Sequence, residues 1–430
     1  MFQEKNGMIE IAPVSRVNAT VEVPGSKSLT QRALIAAALA RGTSTLIGPL
    51  ASEDTDFSSR ALAQLGVDIE RGHDWRVRGG GGVIGPSATP LYLGNNGTAT
   101  RFLTSLVALG QSEYVIDGDE RMRQRPIGPL VAALQGWGVD IASVHGGECP
   151  PLLIKGRGLA GGRTVLPEGK SSQYLSSLLL VAPYANKPAF LEVEGEILSK
   201  PYVAMTLSVM ADFGIAVECT RDFSSFAIPQ GCYCGRDYQI EGDASNASYF
   251  WAAAAITAGR VTVSNVPVPS LQGDAMLLPL LGRMGCTVEQ SGTGVALVGA
   301  ERLEGIRVDM GNMPDVVPTL AVVAAFAHGT TVIENIAHLR IKECDRLSAV
   351  ARELAKLGAR VEEGEASLVI HGNGGLDLQG AVIDTYADHR MAMCFAVAGL
   401  KVAGVKISGE ECVAKSFPDF WQRFALLGKC

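Results

Sequence analysis

Long hydrophobic runs are missing from this chain. Gly, Asp or Arg interrupts its apolar stretches before about 18 residues, so no transmembrane helix is expected. The first residues, Met1 to Gly7, lack a basic segment followed by an apolar core, so no signal peptide is expected either. Histidines are few, and none of the six stands at H-x-x-H or H-x-x-x-H spacing. Nine cysteines, an odd number, are scattered without a C-x-x-C, and the closest pair, Cys232 and Cys234, is too tightly spaced for one. No metal site and no cofactor are expected. Cysteines so placed read as reduced thiols of a cytoplasmic protein. A basic excess is also absent: the net charge of −7 argues against a nucleic-acid surface. What remains has the composition of an ordinary α/β protein, and 430 residues suffice for two domains with full cores.

Against that acidic background, the cations that do occur are gathered in short loops. The most informative is Pro24-Gly-Ser-Lys-Ser-Leu-Thr-Gln-Arg-Ala33. Pro-Gly ends an extended run, Thr20 to Val23, and an Ala-rich helical pattern begins near Leu29. The segment reads as strand, tight turn and helix N-terminus, where free N–H groups and the helix dipole favour an anion. Lys27, Ser26, Ser28 and Arg32 would complete a cradle. It is not a nucleotide P-loop, because Ser26 rather than Gly precedes Lys27. A capped helix with a solvated lysine would explain this segment taken alone. Similar loops recur at Gly94-Asn-Asn-Gly-Thr-Ala-Thr-Arg101, Arg121 to Pro126, Glu168 to Gln173, Arg340 to Arg346 and Asp388-His-Arg390. Localised positive loops on an acidic protein suit small, highly charged anions.

A repeat organises the chain. Six apolar helical patterns end at Gly66, Gly138, Gly214, Gly285, Gly358 and Gly428, spaced 70 to 76 residues apart. Each glycine fits a left-handed C-cap. After the first five comes a short alternating run such as Val67-Asp-Ile-Glu70 or Ala359-Arg-Val-Glu362. A period that steady implies one supersecondary unit used six times. Helices such as Ala33–Ala40 and Ala252–Ala258, apolar nearly all round, should be buried. The seam should fall near Tyr238 to Asp243. The first strand, about Ile9 to Val14, should pair with the C-terminal half, because the last unit lacks closing strands. The expected domains are therefore 1–25 with 241–430, and 26–240, with the active site in the cleft between them.

The ordered set of motifs resembles the enolpyruvyl transferase family from end to end. The resemblance rests on Pro24-Gly-Ser-Lys-Ser with Arg32, Leu93 to Arg101, Arg125-Pro-Ile, Ser171-Ser-Gln173, Ser199-Lys-Pro-Tyr202, Glu241-Gly-Asp-Ala-Ser245, Pro314-Asp315, Arg340 to Arg346, Asp388 to Met393 and Lys415-Ser-Phe-Pro418. It implies an inside-out α/β barrel architecture in two domains of three units each. It also implies transfer of the enolpyruvyl group of phosphoenolpyruvate to the 5-hydroxyl of shikimate 3-phosphate. That reaction releases phosphate through a tetrahedral ketal, in chorismate and aromatic amino-acid biosynthesis. By matching position, Lys27, Ser28, Arg32, Ser171, Ser172, Gln173, Ser199, Tyr202, Asp315, His338 and Lys342 are expected to hold shikimate 3-phosphate. Lys27, Asn95, Gly97, Arg125, Gln173, Arg346, Arg390 and Lys415 are expected to hold phosphoenolpyruvate. Asp315, Glu343 and Lys27 are the catalytic candidates. The resemblance further implies a cytoplasmic monomer with no cofactor, no metal, no nucleic-acid or membrane partner, and the herbicide glyphosate as an inhibitor at the phosphoenolpyruvate position.

These residue types suit that chemistry. Both substrates carry phosphate and carboxylate, and arginine forks and lysine point charges offset their mutual repulsion. Asp315 could take the 5-hydroxyl proton and Glu343 could serve the methylene carbon. Plainer readings exist: Asp315 as a cap of a helix Val316–Ala327, Glu343 as a surface i+3 partner of Arg346, His389 as a structural hydrogen-bonder, Met391 and Met393 as core. Relatives often carry Asn where this chain has His338, and Asn96 and Thr100 beside Gly97 vary. The branch acting on UDP-N-acetylglucosamine carries a Cys in the loop matching Asp119–Arg125, and none occurs there. RNA 3′-phosphate cyclases would show a basic groove and a nucleophilic His, neither of which is evident.

Overall fold

A computed structural model describes residues 2–5, 7–169, 171–292 and 294–428. Lys170, in one of the cationic loops, lies outside them. The chain is of mixed α/β class and divides into two compact units, Met1–Pro24 with Glu241–Cys430, and Gly25–Ile240. Its described residues form six four-stranded sheets. All six share one hydrogen-bonding plan, a parallel pair followed by two antiparallel pairs.

A parallel pair needs a crossover, and in four sheets that crossover is a buried helix. Helix Gly97–Val107 runs between strands Leu91–Tyr92 and Glu113–Asp117, and helix Ser172–Val181 between Gly162–Leu166 and Ala189–Val193. Helix Val317–Ala325 joins Arg307–Asp309 to His328–Glu334, and helix His389–Gly399 joins Val382–Asp384 to Lys406–Ser408. In the other two sheets the parallel partner returns from elsewhere in the same unit. Asp237–Gln239 lies beside Arg41–Ile47, and Asn18–Val21 beside Arg260–Val263. Strand Met8–Ile11 pairs antiparallel with Lys406–Ser408.

Within each unit three of the helices pack on one another and carry the core: Lys27–Leu39, Gly97–Val107 and Ser172–Val181 in one, Ala244–Thr257, Val317–Ala325 and His389–Gly399 in the other. Every residue of Ala244–Thr257 is buried. Apolar residues on all faces leave such a helix no other place. Small side chains, Ala36 to Ala38 and Ala252 to Ala255, let neighbours approach closely. Four glycines extend that closeness to the sheets. A Cβ at Gly79, Gly156, Gly299 or Gly372 would collide with carbonyl oxygens at the end of a buried helix. Ala at any of these positions would push strand from helix and unpack side chains that contribute about 1.5–3 kcal/mol each.

Helix Arg346–Lys356 is amphipathic, burying Leu347, Val350 and Leu354. Five of the six glycine stops have positive φ, from 82° at Gly138 to 111° at Gly285. Gly428 instead closes a 3-10 turn, Ala425–Gly428. The helix expected at Val316–Ala327 is shorter, Val317–Ala325, and a 3-10 turn, Pro314–Val316, precedes it. No helix among the described residues is long and apolar enough to cross a membrane.

Candidate active site

Functional candidates cluster at the N-termini of the buried helices, where orphan N–H groups point out of the core. In the Gly25–Ile240 unit, Ser26 caps helix Lys27–Leu39, its side chain accepting from Leu29 N. Lys27 is thereby the first helical residue, and its Nζ lies 3.0 Å from Asp54 Oδ2. One turn on, Arg32 is 2% exposed. It donates to Thr206 Oγ1 at 2.7 Å, Ser28 O at 3.0 Å, and Ser176 Oγ and Tyr202 O at 3.2 Å. Its guanidinium lies near the rings of Phe102 and Tyr202, 5.4 and 5.8 Å from their centroids. All these partners are neutral. Burial pushes Arg32 down to about 10, so it remains a cation at neutral pH. A buried cation without a carboxylate on it is costly unless an anion is meant to join it.

Helix Gly97–Val107 is capped by Asn96, whose side chain accepts from Ala99 N at 2.9 Å and donates to Asp54 O at 2.7 Å. Thr100 Oγ1 bonds back to Asn96 O. Both flanking residues therefore hold the turn. Arg125 is buried, and its Nη1 donates to Asn95 Oδ1 at 3.0 Å. Its neighbours differ in kind: Arg123 is half exposed and paired with Asp117 on the surface. Ser171 stands at the N-cap position of helix Ser172–Val181 without a side-chain capping bond, and Gln173 Nε2 donates to Thr98 Oγ1 at 3.2 Å. Ser199, 5% exposed, holds φ 56° at the start of helix Lys200–Asp212. A non-glycine residue in that region is an uncommon conformation that functional sites tolerate.

The other unit holds a chain of buried ion pairs. Arg346, 1% exposed, donates from Nε to Asp388 Oδ2 at 2.6 Å, from Nη1 to Asp315 Oδ1 at 3.0 Å and from Nη2 to Glu343 Oε2 at 2.6 Å. Arg390 Nη2 donates to the other oxygen of Asp315, also at 2.6 Å. Asp388 caps helix His389–Gly399, and Asp345 caps helix Arg346–Lys356, so two helix starts fix the two arginines. Burial pushes the Asp315 carboxyl up, but Arg390, Lys342 and Arg346 outweigh it and hold Asp315 well below the usual carboxylate range. Burial works against the Arg346 charge, yet Asp388, Glu343 and Asp315 hold that guanidinium protonated beyond its ordinary value. Glu343 is thus the i+3 partner of Arg346, but inside the protein rather than on its surface.

His338 is 5% exposed, and neither ring nitrogen has a hydrogen-bond partner among the described residues. Burial and the nearby Lys342 push it down to about 3, so it stays neutral. Lys415 is buried at the end of the 3-10 turn Glu410–Lys415. Arg340, in the same loop as Arg346, serves structure: it clamps Asp345, Glu363 and the backbone of Gly364. His389, Met391 and Met393 are fully buried. Sequence reasoning missed Asp54 as partner of Lys27, Ser176 and Thr206 as partners of Arg32, and Asp388 as anchor of Arg346. Only Asp388 gave a signal, as a carboxylate one residue from His389-Arg390 with a helix following.

One unit gathers buried cations near helix N-termini with neutral hydroxyls and amides beside them, and the other wires two carboxylates to two arginines; these are groups suited to small anions and to proton transfer. Residues 11–424 match the family model for EPSP synthase (3-phosphoshikimate 1-carboxyvinyltransferase). A 3-phosphoshikimate 1-carboxyvinyltransferase of Trichormus variabilis is 46% identical over 412 residues, covering 95% of this chain and 96% of that one. One from Photobacterium profundum is 43% identical over 427 residues, 98% of this chain and 99% of that one. An EPSP synthase structure from Acinetobacter baumannii superposes with TM-score 0.81 at 28% identity, over 97% of this chain and 98% of that chain. The chain belongs to the EPSP synthase family.

Proposed function

We propose that this protein joins phosphoenolpyruvate to the 5-hydroxyl of shikimate 3-phosphate, releasing inorganic phosphate, in the shikimate pathway. The observation that carries the reading is the sequence of ion pairs Glu343–Arg346–Asp315–Arg390. It couples two candidate proton-transfer groups to two candidate anion binders. Asp315 is the base for the 5-hydroxyl proton. The alkoxide oxygen bonds to C2 of phosphoenolpyruvate while Glu343 supplies a proton to the methylene carbon, giving a tetrahedral ketal. The C2–O bond to phosphate then breaks, the methyl group returns its proton, and the enol ether is restored. Lys27 offsets charge on the departing phosphate.

Held by three cations, Asp315 is a weak base. Substrate anions that engage Arg346 and Arg390 draw on the charge that holds Asp315 down, and so raise its basicity when the hydroxyl is to hand. Arg125, Arg346, Arg390, Lys415, Asn95 and Gly97 serve phosphoenolpyruvate. Arg32, Ser28, Ser171, Ser172, Ser199, Tyr202, Lys342 and the neutral His338 serve shikimate 3-phosphate, with Gln173 common to both. The division of the chain into Met1–Pro24 with Glu241–Cys430 and Gly25–Ile240 supports domains of 1–25 with 241–430 and 26–240. The shared plan of the six sheets supports one unit repeated six times as an inside-out barrel, three per domain. The acidic net charge supports small-molecule substrates rather than nucleic acid, with the chain acting as a monomer.

The test is phosphate release with phosphoenolpyruvate and either shikimate 3-phosphate or UDP-N-acetylglucosamine as acceptor. Release is expected only with the first. Release only with the second would overturn the assignment.

A further inference from the structure

Glu353 is a buried carboxylate that the reaction above does not use. It stands on helix Arg346–Lys356 and is fully buried. It follows Arg346 by about two helical turns, so the two side chains share one face of the helix, roughly 10 Å apart along it. Both reach the connection between strand Val382–Asp384 and helix His389–Gly399. At the end of that connection Arg346 Nε donates to Asp388 Oδ2 at 2.6 Å. Glu353 holds its beginning: Oε2 accepts from Asp384 N at 3.1 Å, and Oε1 accepts from the Tyr386 hydroxyl at 2.7 Å. Lys356 Nζ, 2.9 Å from Oε2, supplies the countercharge.

Packing alone does not call for a carboxylate here. A buried ion pair stabilises a helix face no better than apolar side chains of similar volume. Leu347, Val350 and Leu354 already fill that part on this helix. The backbone it holds is unusual. Tyr386 and Ala387 have φ of 55° and 52°, and among the described residues they are the only consecutive non-glycine pair at positive φ. A Cβ disfavours that region, so the surroundings must hold the pair in it. Across the pair, Asp388 N donates to Thr385 O at 2.8 Å. Glu353 grips Tyr386 itself and the backbone just before it. The turn delivers Asp388, whose Oδ1 accepts from Arg390 N at 2.9 Å and whose Oδ2 accepts from Arg346. One helix is thus tied by Glu353 and Arg346 to both ends of a strained connection that leads into Arg390.

We propose that Glu353 is a positioning residue for phosphoenolpyruvate: by holding the Tyr386 hydroxyl and the Asp384 N–H it keeps Tyr386-Ala387 left-handed, and with that turn the aim of Asp388 at Arg346 and the placing of Arg390. The role rests on the reading above, in which those two arginines receive phosphoenolpyruvate. Glu353 acts through them, so its loss falls on phosphoenolpyruvate more than on shikimate 3-phosphate. Both arginines also hold Asp315, so kcat falls as well, and the discriminating quantity is the ratio of the two KM values. The Tyr386 hydroxyl is the mildest point of attack. Its removal keeps the ring, and it keeps the bonds of Glu353 to Asp384 N and Lys356.

The test measures kcat, both KM values and Tm in the wild type, Tyr386→Phe, Glu353→Gln and Glu353→Ala. Tyr386→Phe is expected to raise KM for phosphoenolpyruvate by roughly 3- to 10-fold, as the loss of one hydrogen bond allows. KM for shikimate 3-phosphate is expected to rise by a smaller factor. Glu353→Gln, which keeps the volume and an acceptor for Asp384 N, is expected to do less harm than Glu353→Ala. A role in stability alone would lower Tm and the amount of active enzyme and leave both KM values in place. An unchanged KM for phosphoenolpyruvate in Tyr386→Phe, or an equal rise in both KM values, therefore overturns the proposal, as does a Gln variant impaired as much as the Ala one. Should Glu353→Ala fail to fold, Tyr386→Phe alone decides. Calorimetric titration of phosphoenolpyruvate, with 5-deoxyshikimate 3-phosphate present so that nothing reacts, gives a readout independent of turnover. Binding weakened in Tyr386→Phe by a factor like that in KM is expected. If the wild type binds phosphoenolpyruvate but releases no phosphate, the reaction fails while weaker binding in the variant still supports the role. If both enzymes bind it equally, or neither binds it, the role fails.

Discussion

Replacing Gly97 with Ala isolates one contact. Gly97 is the first residue of helix Gly97–Val107 and is not among the glycines at positive φ, so its backbone accepts alanine without strain. The obstacle is a side chain. An added Cβ would stand 2.5 Å from Arg125 Nη2, 2.9 Å from Cζ and 3.0 Å from Nη1. Ordinary contact distances are ~3.5 Å, so the guanidinium must retreat by about 1 Å. That retreat strains its bond to Asn95 Oδ1, now 3.0 Å. Because the end of a long side chain moves rather than backbone, the fold should lose little. Arg125 is assigned to phosphoenolpyruvate, and a misplaced hydrogen bond to a charged group costs about 1.5–3 kcal/mol. KM for phosphoenolpyruvate should therefore rise roughly 10- to 100-fold. Glyphosate, longer than phosphoenolpyruvate, should lose more, so its inhibition constant should rise by a larger factor. Steady-state phosphate release with varied phosphoenolpyruvate and glyphosate, alongside thermal denaturation, measures all three quantities. An unchanged KM would refute the displacement of Arg125. Equal losses for both ligands with a large fall in Tm would show that the methyl damages the fold instead.

Other outcomes follow from the same structure. Asp315→Ala and Glu343→Gln should each lower kcat by roughly 100-fold or more while circular dichroism stays native-like; near-normal kcat in both would remove them from the chemistry. Arg346→Met strips the guanidinium from buried Asp388 and from Glu343 and Asp315, and should cost about 3–5 kcal/mol in urea unfolding; an unmoved midpoint would contradict the ion-pair chain. Burial first, then Asp315, pushes the Asp274 carboxyl up to about 7, so the folded chain releases that proton at higher pH than the unfolded chain does. The stability it contributes is fully present below about pH 4 and is lost as pH rises through about 7; Asp274→Asn should flatten that part of the Tm profile, and a profile parallel to wild type would count against it. Phosphate release should persist in excess chelator, and activity that vanished and returned with a divalent ion would contradict a reaction run by side chains alone.

Much of the candidate site's local geometry was legible because several of its residues stand at helix starts. The strand–turn–helix reading of Thr20 to Ala33 rests on Pro-Gly, a capping Ser and an apolar run, and Ser26 does cap the helix that Lys27 begins. Glycine stops at Gly66, Gly138, Gly214, Gly285 and Gly358 could be placed because left-handed backbone leaves few alternatives to glycine. Gly97 shows the limit of such reasoning. A glycine in a loop of Asn and Thr suggests backbone freedom, whereas this one makes room for Arg125, 28 residues on.

Sequence by itself determined the period of the chain, the helices that must be buried and the cationic turns at their N-termini, since these follow from local pattern and backbone chemistry. Tertiary structure decided which charges meet. Lys27 finds Asp54, Arg346 finds Asp315 and Asp388, and Arg32 finds Ser176 and Thr206 rather than a carboxylate. No spacing rule links those pairs, because side chains from different helices meet only when buried faces pack. In that low-dielectric interior, the identity of the neighbour decides whether a carboxyl such as Asp315 is held below its ordinary range or one such as Asp274 is pushed above it.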